Sequence, residues 1–109
     1  MGPRLLRICF RLRGGSRAEY ERATTQAATA IAAVPGLRWK IWPIGDTGLA
    51  GGLYLFDDEV ALRAYLDGPI VAHLKGAPFV ADLAIEEYGI LEAPTAITRG
   101  PVVAGAAVA

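Results

Sequence analysis

The single histidine is the side chain best suited to proton transfer at neutral pH. His73 is the only histidine in the 109 residues, and an imidazole has an unperturbed pKa near neutrality. It follows Pro69 in a segment that predicts a short helix, from which it could face a sheet and a substrate. His73 is therefore a candidate proton acceptor, and a surface or simply buried histidine is the alternative interpretation.

Two tyrosines could hold a phenolic or quinone oxygen. Tyr54 and Tyr65 each carry a hydroxyl on an apolar ring, and they belong to a predicted strand and helix that should meet. Both are candidate catalytic residues. The alternative is that each is a core tyrosine whose hydroxyl is satisfied within the protein.

Four other side chains are candidate substrate-binding residues: Trp39, Trp42, Phe56 and Arg38. Trp39 and Trp42 lie on opposite faces of one predicted strand, so only one can face a cavity on the helix side. Arg38 shares a side of that strand with Lys40, and such a pair could bind an enolate or a carboxylate. Plain packing of the aromatic rings and salt bridges between subunits are the alternatives.

Residue counts exclude several kinds of site. The only serine, Ser16, is placed to cap a helix, and Cys9 with one histidine cannot build an ordinary zinc site. Eleven basic and eleven acidic residues cancel, which argues against broad electrostatic binding of nucleic acid or anionic lipid. No apolar run approaches the ~18 residues of a membrane span, and arginines interrupt the first apolar stretch. We predict a cytoplasmic protein without metal or cofactor and without nucleic-acid or membrane partners.

Alternation and turn residues predict the elements that must position these side chains. Ser16 and Glu19 form a capping box at the start of the first helix, whose inward stripe contains mostly small residues that permit close approach to a sheet. The predicted elements are a strand over 5–13, a helix from 16 or 17 to 34, strands over 37–42 and 51–56, a helix over 60–66 that restarts over 69–75, and a strand over 83–90.

This order predicts an α+β, ferredoxin-like βαββαβ fold with a four-stranded antiparallel sheet and two helices on one face. Residues 1–92 form the predicted subunit, and 93–109 a C-terminal tail that partly contacts a dimer partner and is partly flexible. The other sheet face should carry Trp42, Tyr54 and Phe56 or their neighbours, which are too apolar for water. We therefore predict a homodimer in which a second sheet packs there.

Three segments in order carry a family resemblance: PGLRWKIW over 35–42, TGLAGGLYLFDD over 47–58 and PTAITRG over 94–100. The chain resembles the YdhR-type putative mono-oxygenase family, and the similarity covers most of its length. The resemblance implies a dimeric α/β-barrel of ferredoxin-like subunits. It also implies a relationship to small cofactor-free oxygenases that act on quinols, anthrones and similar aromatic polyketides.

Three functions follow as hypotheses. The first is a cofactor-independent mono-oxygenase that uses molecular oxygen on a small electron-rich aromatic compound in an apolar pocket. Such a reaction needs a substrate that can be deprotonated, a proton acceptor, donors that steady the charge and a dry site. The second is a cyclase, isomerase or dehydratase acting on a similar hydrophobic compound. The third is a non-catalytic small-molecule-binding or stress-response protein.

Overall fold

Four antiparallel strands form one sheet, and helices cover one of its faces. The computed structural model describes residues 2–102, and the sheet order is β2-β3-β1-β4. The predicted α+β, ferredoxin-like fold is confirmed. The elements are β1 (Arg4–Leu12), α1 (Arg17–Ala32), β2 (Leu37–Ile41), β3 (Leu49–Phe56), α2 (Glu59–Leu66), α3 (Pro69–Lys75), β4 (Val80–Tyr88) and α4 (Glu92–Ile97).

The core lies between the sheet and the helices and begins with the alternation of β1. Leu6, Ile8 and Phe10 point to the helix side and are buried, as their period of two predicts. Leu62 of α2 and Val71 of α3 complete the same cluster from above. Removing this apolar surface from water is the main stabilising contribution to the subunit.

The helix boundaries follow from their caps. The Ser16 hydroxyl accepts from the Glu19 amide while the Glu19 carboxylate accepts from the Ser16 amide, so the predicted capping box is present. Asp58 caps α2 by accepting from the Ala61 amide. Gly68 and Pro69 end α2 and start α3, because proline lacks an amide hydrogen and is tolerated in a first helical turn.

Two strands and the tail differ from the prediction. β3 begins at Leu49 rather than at residue 51, and β4 begins at Val80 rather than at residue 83. Asp82 has a φ of 55°, and the pairing register shifts beside it, which interrupts the alternation on which the strand prediction depended. The predicted irregular tail contains the short helix α4, whose Pro94 lies in the first turn. The last several residues of the tail, which we predicted to be flexible, lie outside the described residues.

The face of the sheet away from the helices carries the neighbours of the three aromatic residues named in the prediction. Tyr54 and Phe56 point to the helix side, because they pair with Leu6 and Arg4 of β1 on that face. Trp42 also lies on the helix side, so the first alternative of the prediction, that these three aromatic residues form the bare face, is wrong. Their neighbours occupy it: Leu5, Trp39, Ile41, Leu53 and Leu55.

Residues 101–102 cover one corner of that bare face. The Trp39 indole donates to the Pro101 carbonyl at 2.8 Å, and the Arg38 guanidinium donates to the Val102 carbonyl. Val102 is buried. Part of the face that we expected a partner to cover is therefore covered by the chain itself. Among the helices in residues 2–102, none has both the length and the apolar character to cross a membrane.

Candidate functional site

A cavity of about 250 Å³ lies between α1, α3 and the helix-facing side of the sheet. Most of its wall is apolar or aromatic and includes Phe10 of β1, Ile31 of α1, Leu74 of α3 and Phe79. Five titratable side chains also line it: Tyr20, Lys40, Tyr54, Tyr65 and His73. An apolar cavity with a few convergent polar groups is the usual form of a small-molecule site.

The cavity exists because α1 is held away from the sheet at its middle. Tyr20, near the start of α1, packs edge-on against Phe10 with ring centroids 6.4 Å apart, and Ile31, near its end, is buried. Between them Ala23 and Ala27 face the cavity and remain exposed. The expectation that small residues bring α1 close to the sheet is wrong, because the larger residues at both ends set the spacing and the alanines leave it unfilled.

Lys40 is a functional candidate that the sequence analysis considered only as one of a pair with Arg38 and did not include among the site residues. Its ammonium nitrogen lies 3.2 Å from the ring centroid of Trp42 and 4.6 Å from that of Tyr54. None of the ion pairs found among residues 2–102 includes Lys40. Burial lowers the pKa of this amine to about 7. An amine with such a pKa can take up or release a proton at neutral pH.

Gly52, two residues before Tyr54 on β3, makes room for the Lys40 side chain. A Cβ atom on Gly52 would lie 2.5 Å from Lys40 Cε and 2.8 Å from Tyr54 Cε1, distances that no packed structure tolerates. Lys40 pairs with Tyr54 across β2 and β3, so its stem lies over the gap left at Gly52. One sequence signal could have identified Lys40. It lies two residues before Trp42, in a strand whose partner strand contains the pair Gly51 and Gly52.

Arg38, in contrast, does not share the cavity with Lys40. The register of β2 against β3 shifts between Leu37 and Trp39, so simple alternation fails there. The Arg38 guanidinium donates to the Asp57 carboxylate at 2.6 Å, within the same chain. The prediction that Arg38 and Lys40 lie on one side as a cationic pair is therefore wrong.

The two predicted tyrosines meet inside the cavity. Their hydroxyl oxygens are 3.3 Å apart, with Tyr65 donating to Tyr54, and their ring centroids are 5.2 Å apart. Burial raises the pKa of both phenols, so both stay protonated at neutral pH. Because Tyr54 accepts from Tyr65, its own hydroxyl hydrogen is free to be donated to a bound molecule.

The remaining predicted site residues divide between the cavity and other places. Trp42 and His73 are part of the cavity wall, although His73 is otherwise exposed. Trp39 is on the opposite face against Pro101, which confirms that only one of the two tryptophans faces the helix side. Phe56 is 0% exposed and lies in the core beside Tyr65, so a direct contact with substrate in this cavity is excluded for it.

The family model described as "Putative mono-oxygenase ydhR" matches residues 5–101 of this chain. That range includes all of the sheet except Arg4, and every residue of the cavity wall. The chain belongs to the YdhR mono-oxygenase family. No curated protein matches it.

Solved structures share the fold of this YdhR-family protein at low sequence identity. A protein of unknown function from Nitrosomonas europaea has a TM-score of 0.70 and 22% identity, covering 85% of this chain and 93% of that one. The cofactor-independent oxygenase SnoaB from Streptomyces nogalater has a TM-score of 0.68 and 16% identity, covering 84% and 96%. A dimeric ferredoxin-like protein of unknown function from Thermobifida fusca has a TM-score of 0.62 and 24% identity, covering 83% and 93%.

Within residues 2–102, no group of three or more histidine, cysteine, aspartate or glutamate side chains is placed to hold a metal ion. Carboxylates are also missing from the side chains that line the cavity in this part of the YdhR-family protein. The chemistry available from its own residues is therefore hydrogen-bond donation by tyrosines, and proton transfer by Lys40 or His73.

Proposed function

We propose that this protein is a cofactor-independent mono-oxygenase that oxidises a small electron-rich aromatic compound, such as a quinol or an anthrone. The observation that supports this most is the apolar cavity in which a basic amine and a hydrogen-bonded pair of tyrosines converge. Membership of the mono-oxygenase family supports the reaction class. The likeness to a cofactor-independent oxygenase supports an activity of the same type.

In this proposal each group of cavity residues has a separate role. The Trp42 and Phe10 rings bind the aromatic substrate, and the free hydroxyl hydrogen of Tyr54 is donated to its oxygen substituent. A proton acceptor in the wall converts the substrate to an electron-rich anion that reacts with molecular oxygen. For an anthrone, one oxygen atom becomes the new carbonyl oxygen. The other leaves as water with the two hydrogens of the oxidised carbon.

The proposal includes a homodimer formed through the bare face of the sheet. Leu5 and Leu53 lie at its centre and are only half-buried within one chain, and Ile41 beside them is 53% exposed. The salt bridge between Arg7 and Glu86 crosses the same face within the chain, so the surface already has its charges paired. A second copy presents an identical apolar strip and can bury it face to face.

Oxygen consumption tests the proposed reaction directly. Purified protein freed of metals and flavins is incubated with a panel of anthrones and quinols in an oxygen electrode, and label from ¹⁸O₂ is followed into the product. We expect uptake with one labelled oxygen atom per product molecule. No uptake above the protein-free rate across the panel would reject the proposal.

A cavity-filling variant ties the activity to this site. Ala27→Phe places a ring in the cavity from an exposed position on α1, so the fold should tolerate it while substrate is excluded. Ala18→Phe makes the same change at an exposed position of α1 outside the cavity wall. Activity should fall at least tenfold in the first variant and stay unchanged in the second.

The basic amine in the cavity also favours a second candidate, an isomerase or cyclase whose chemistry is proton transfer alone. The same substrate panel under nitrogen separates the two reactions. Turnover that persists without oxygen would support the isomerase or cyclase and reject the oxygenase.

A further inference from the structure

We propose that the ε-amine of Lys40 is the proton acceptor of this site and that the substrate is an aromatic compound with an acidic phenolic or enolic hydroxyl. This inference rests on the proposed function for the later reaction with oxygen, but the proton transfer itself needs no oxidant. It assigns a catalytic role that the sequence pattern had given to His73 instead.

The geometry holds the amine inside the aromatic part of the cavity. Lys40 Nζ lies over the faces of both Trp42 and Tyr54, at 3.2 Å and 4.6 Å from their centroids. The absence of a side chain at Gly52 leaves room for the stem, since a Cβ atom there would lie 2.5 Å from Cε. A flat phenol bound against these rings therefore has its hydroxyl near the amine, and near the free hydroxyl hydrogen of Tyr54.

The surroundings leave the amine free to change its protonation. The other titratable groups on the cavity wall are Tyr20 from α1, Tyr54 from β3, Tyr65 from α2 and His73 from α3. Burial raises the pKa of the three tyrosines, so none of them provides a negative charge to hold Lys40 as an ammonium at neutral pH. His73 is exposed to water at the wall, whereas Lys40 lies between two rings.

The step balances without a co-reactant. The substrate O–H bond breaks, an N–H bond forms on the neutral Lys40 amine, and an ammonium–phenolate pair results. Neither partner is oxidised or reduced. Among the apolar and aromatic side chains of the cavity the ammonium stabilises the phenolate, and the Tyr54 hydroxyl can donate to the same oxygen. The electron-rich anion is the form that reacts with oxygen in the proposed function.

The proton transfer can be tested separately from the reaction with oxygen by using a coloured phenol as a probe. 4-Nitrophenol is titrated with the protein, and the visible absorbance of its phenolate is followed against pH. In the wild type we expect the ionisation midpoint of the bound probe to lie about 1–3 pH units below that of the free probe. In Lys40→Met the bound phenolate would be buried with no cation beside it. The ionisation midpoint of the bound probe should therefore lie above that of the free probe.

The chain contains one other lysine, which provides a matched control. Lys75→Met at the exposed end of α3 should titrate the bound probe as the wild type does. His73→Ala should also keep the lowered midpoint. The proposal is overturned if the wild type raises the midpoint, if Lys40→Met retains the lowered value, or if His73→Ala abolishes it.

This result is separable from that of the oxygen electrode. A lowered midpoint that depends on Lys40 supports the proton acceptor even if no substrate consumes oxygen, in which case the oxygenase fails alone. Oxygen uptake that is unchanged in Lys40→Met supports the oxygenase and rejects Lys40 as the acceptor.

Discussion

The cavity contains an amine, Lys40, whose pKa is lowered, and two phenols, Tyr54 and Tyr65, whose pKa values are raised. Burial disfavours the charged form of each group, so it lowers the pKa of the amine and raises the pKa of both phenols. The amine thereby becomes a base near neutral pH while the tyrosines remain donors. A site that must accept a proton and stabilise the resulting anion needs this combination.

The pKa of Lys40 predicts a pH-dependent stability. Its value of about 7 in the folded chain lies below the ordinary 10.5, so above pH 7 the unfolded chain binds a proton that the folded chain does not. The free energy of unfolding should therefore rise with pH, by about 2–3 kcal/mol between pH 7 and about 9. Urea denaturation of the wild type and Lys40→Met at these two pH values measures the contribution.

The lysine at position 75 again supplies the comparison. Lys75→Met should keep the wild-type pH dependence, whereas Lys40→Met should lose most of it. Equal pH dependence in the wild type and Lys40→Met would show that burial of Lys40 does not lower its pKa.

Gly52→Ala should displace Lys40 without changing a titratable group. The added Cβ would lie 2.5 Å from Lys40 Cε and 2.8 Å from Cε1 of the buried Tyr54 ring, and the flexible lysine yields more easily of the two, by turning toward solvent. The pKa of Lys40 should then rise toward its ordinary value of 10.5. NMR of protein labelled with ¹³C at the lysine Cε carbons measures this, because the chain has two lysines and gives two signals.

Gly45→Ala is the control for this change, since a Cβ there meets only ordinary contacts at 3.7 Å. It should leave both lysine titrations unchanged. A Lys40 pKa that stays near 7 in Gly52→Ala would contradict the positioning role of the glycine.

At the scale of elements, α1 forms one wall of the cavity and has few anchors to the sheet. Its middle turns contribute Ala23 and Ala27 to the cavity instead of packing against a strand. The stability of α1 therefore depends on the contacts at its ends, including the capping box at Ser16. Gly68 and Pro69 act similarly for α3, since they set the start of the short helix that carries His73.

Ser16→Ala should destabilise the protein by about 1 kcal/mol, because the Glu19 amide loses its acceptor at the start of α1. Chemical denaturation measures the change. Ser16→Asp, which also accepts from that amide and places a negative charge at the helix start, should restore most of the loss. A stability of Ser16→Ala equal to that of the wild type would mean that the cap does not hold α1 in place.

At the scale of the whole molecule, the two faces of the sheet have different roles. The helix side contains the core and the cavity, and the other side presents Leu5, Leu53 and Ile41 beside the corner covered by residues 101–102. In the proposed function, core packing and substrate binding therefore do not compete with formation of the dimer for the same residues. A change to the bare face should alter assembly and leave the cavity intact.

Leu53→Arg should convert the proposed dimer into a monomer. It introduces an unpaired charge at the centre of the apolar strip, where it would be buried against the second copy. Analytical ultracentrifugation at micromolar concentration measures the mass. Val60→Arg makes a comparable change at a residue of α2 that is 77% exposed, and it should remain dimeric. A wild-type protein that sediments as a monomer would refute the dimer.

The sequence alone determined the order of elements, most of their boundaries and the family. These follow from local patterns: the alternation of Leu6, Ile8 and Phe10, the capping box at Ser16, and the break at Gly68 and Pro69. Such signals depend on near neighbours in the chain and can be interpreted without a tertiary structure. The pairing of Tyr54 with Tyr65 was also within reach, because the strand and helix that carry them were predicted to meet.

Only the tertiary structure decided which residues form the cavity. The bulge between Leu37 and Trp39 separates Arg38 from Lys40, and the pairing register turns Phe56 into the core. The space at Gly52 and the distance of α1 from the sheet then create room for the Lys40 amine. Register, bulges and helix spacing depend on contacts between distant segments, and the environment of a titratable group depends on all of them. For this reason composition favoured the single histidine, whereas the folded protein places a lysine among the aromatic rings.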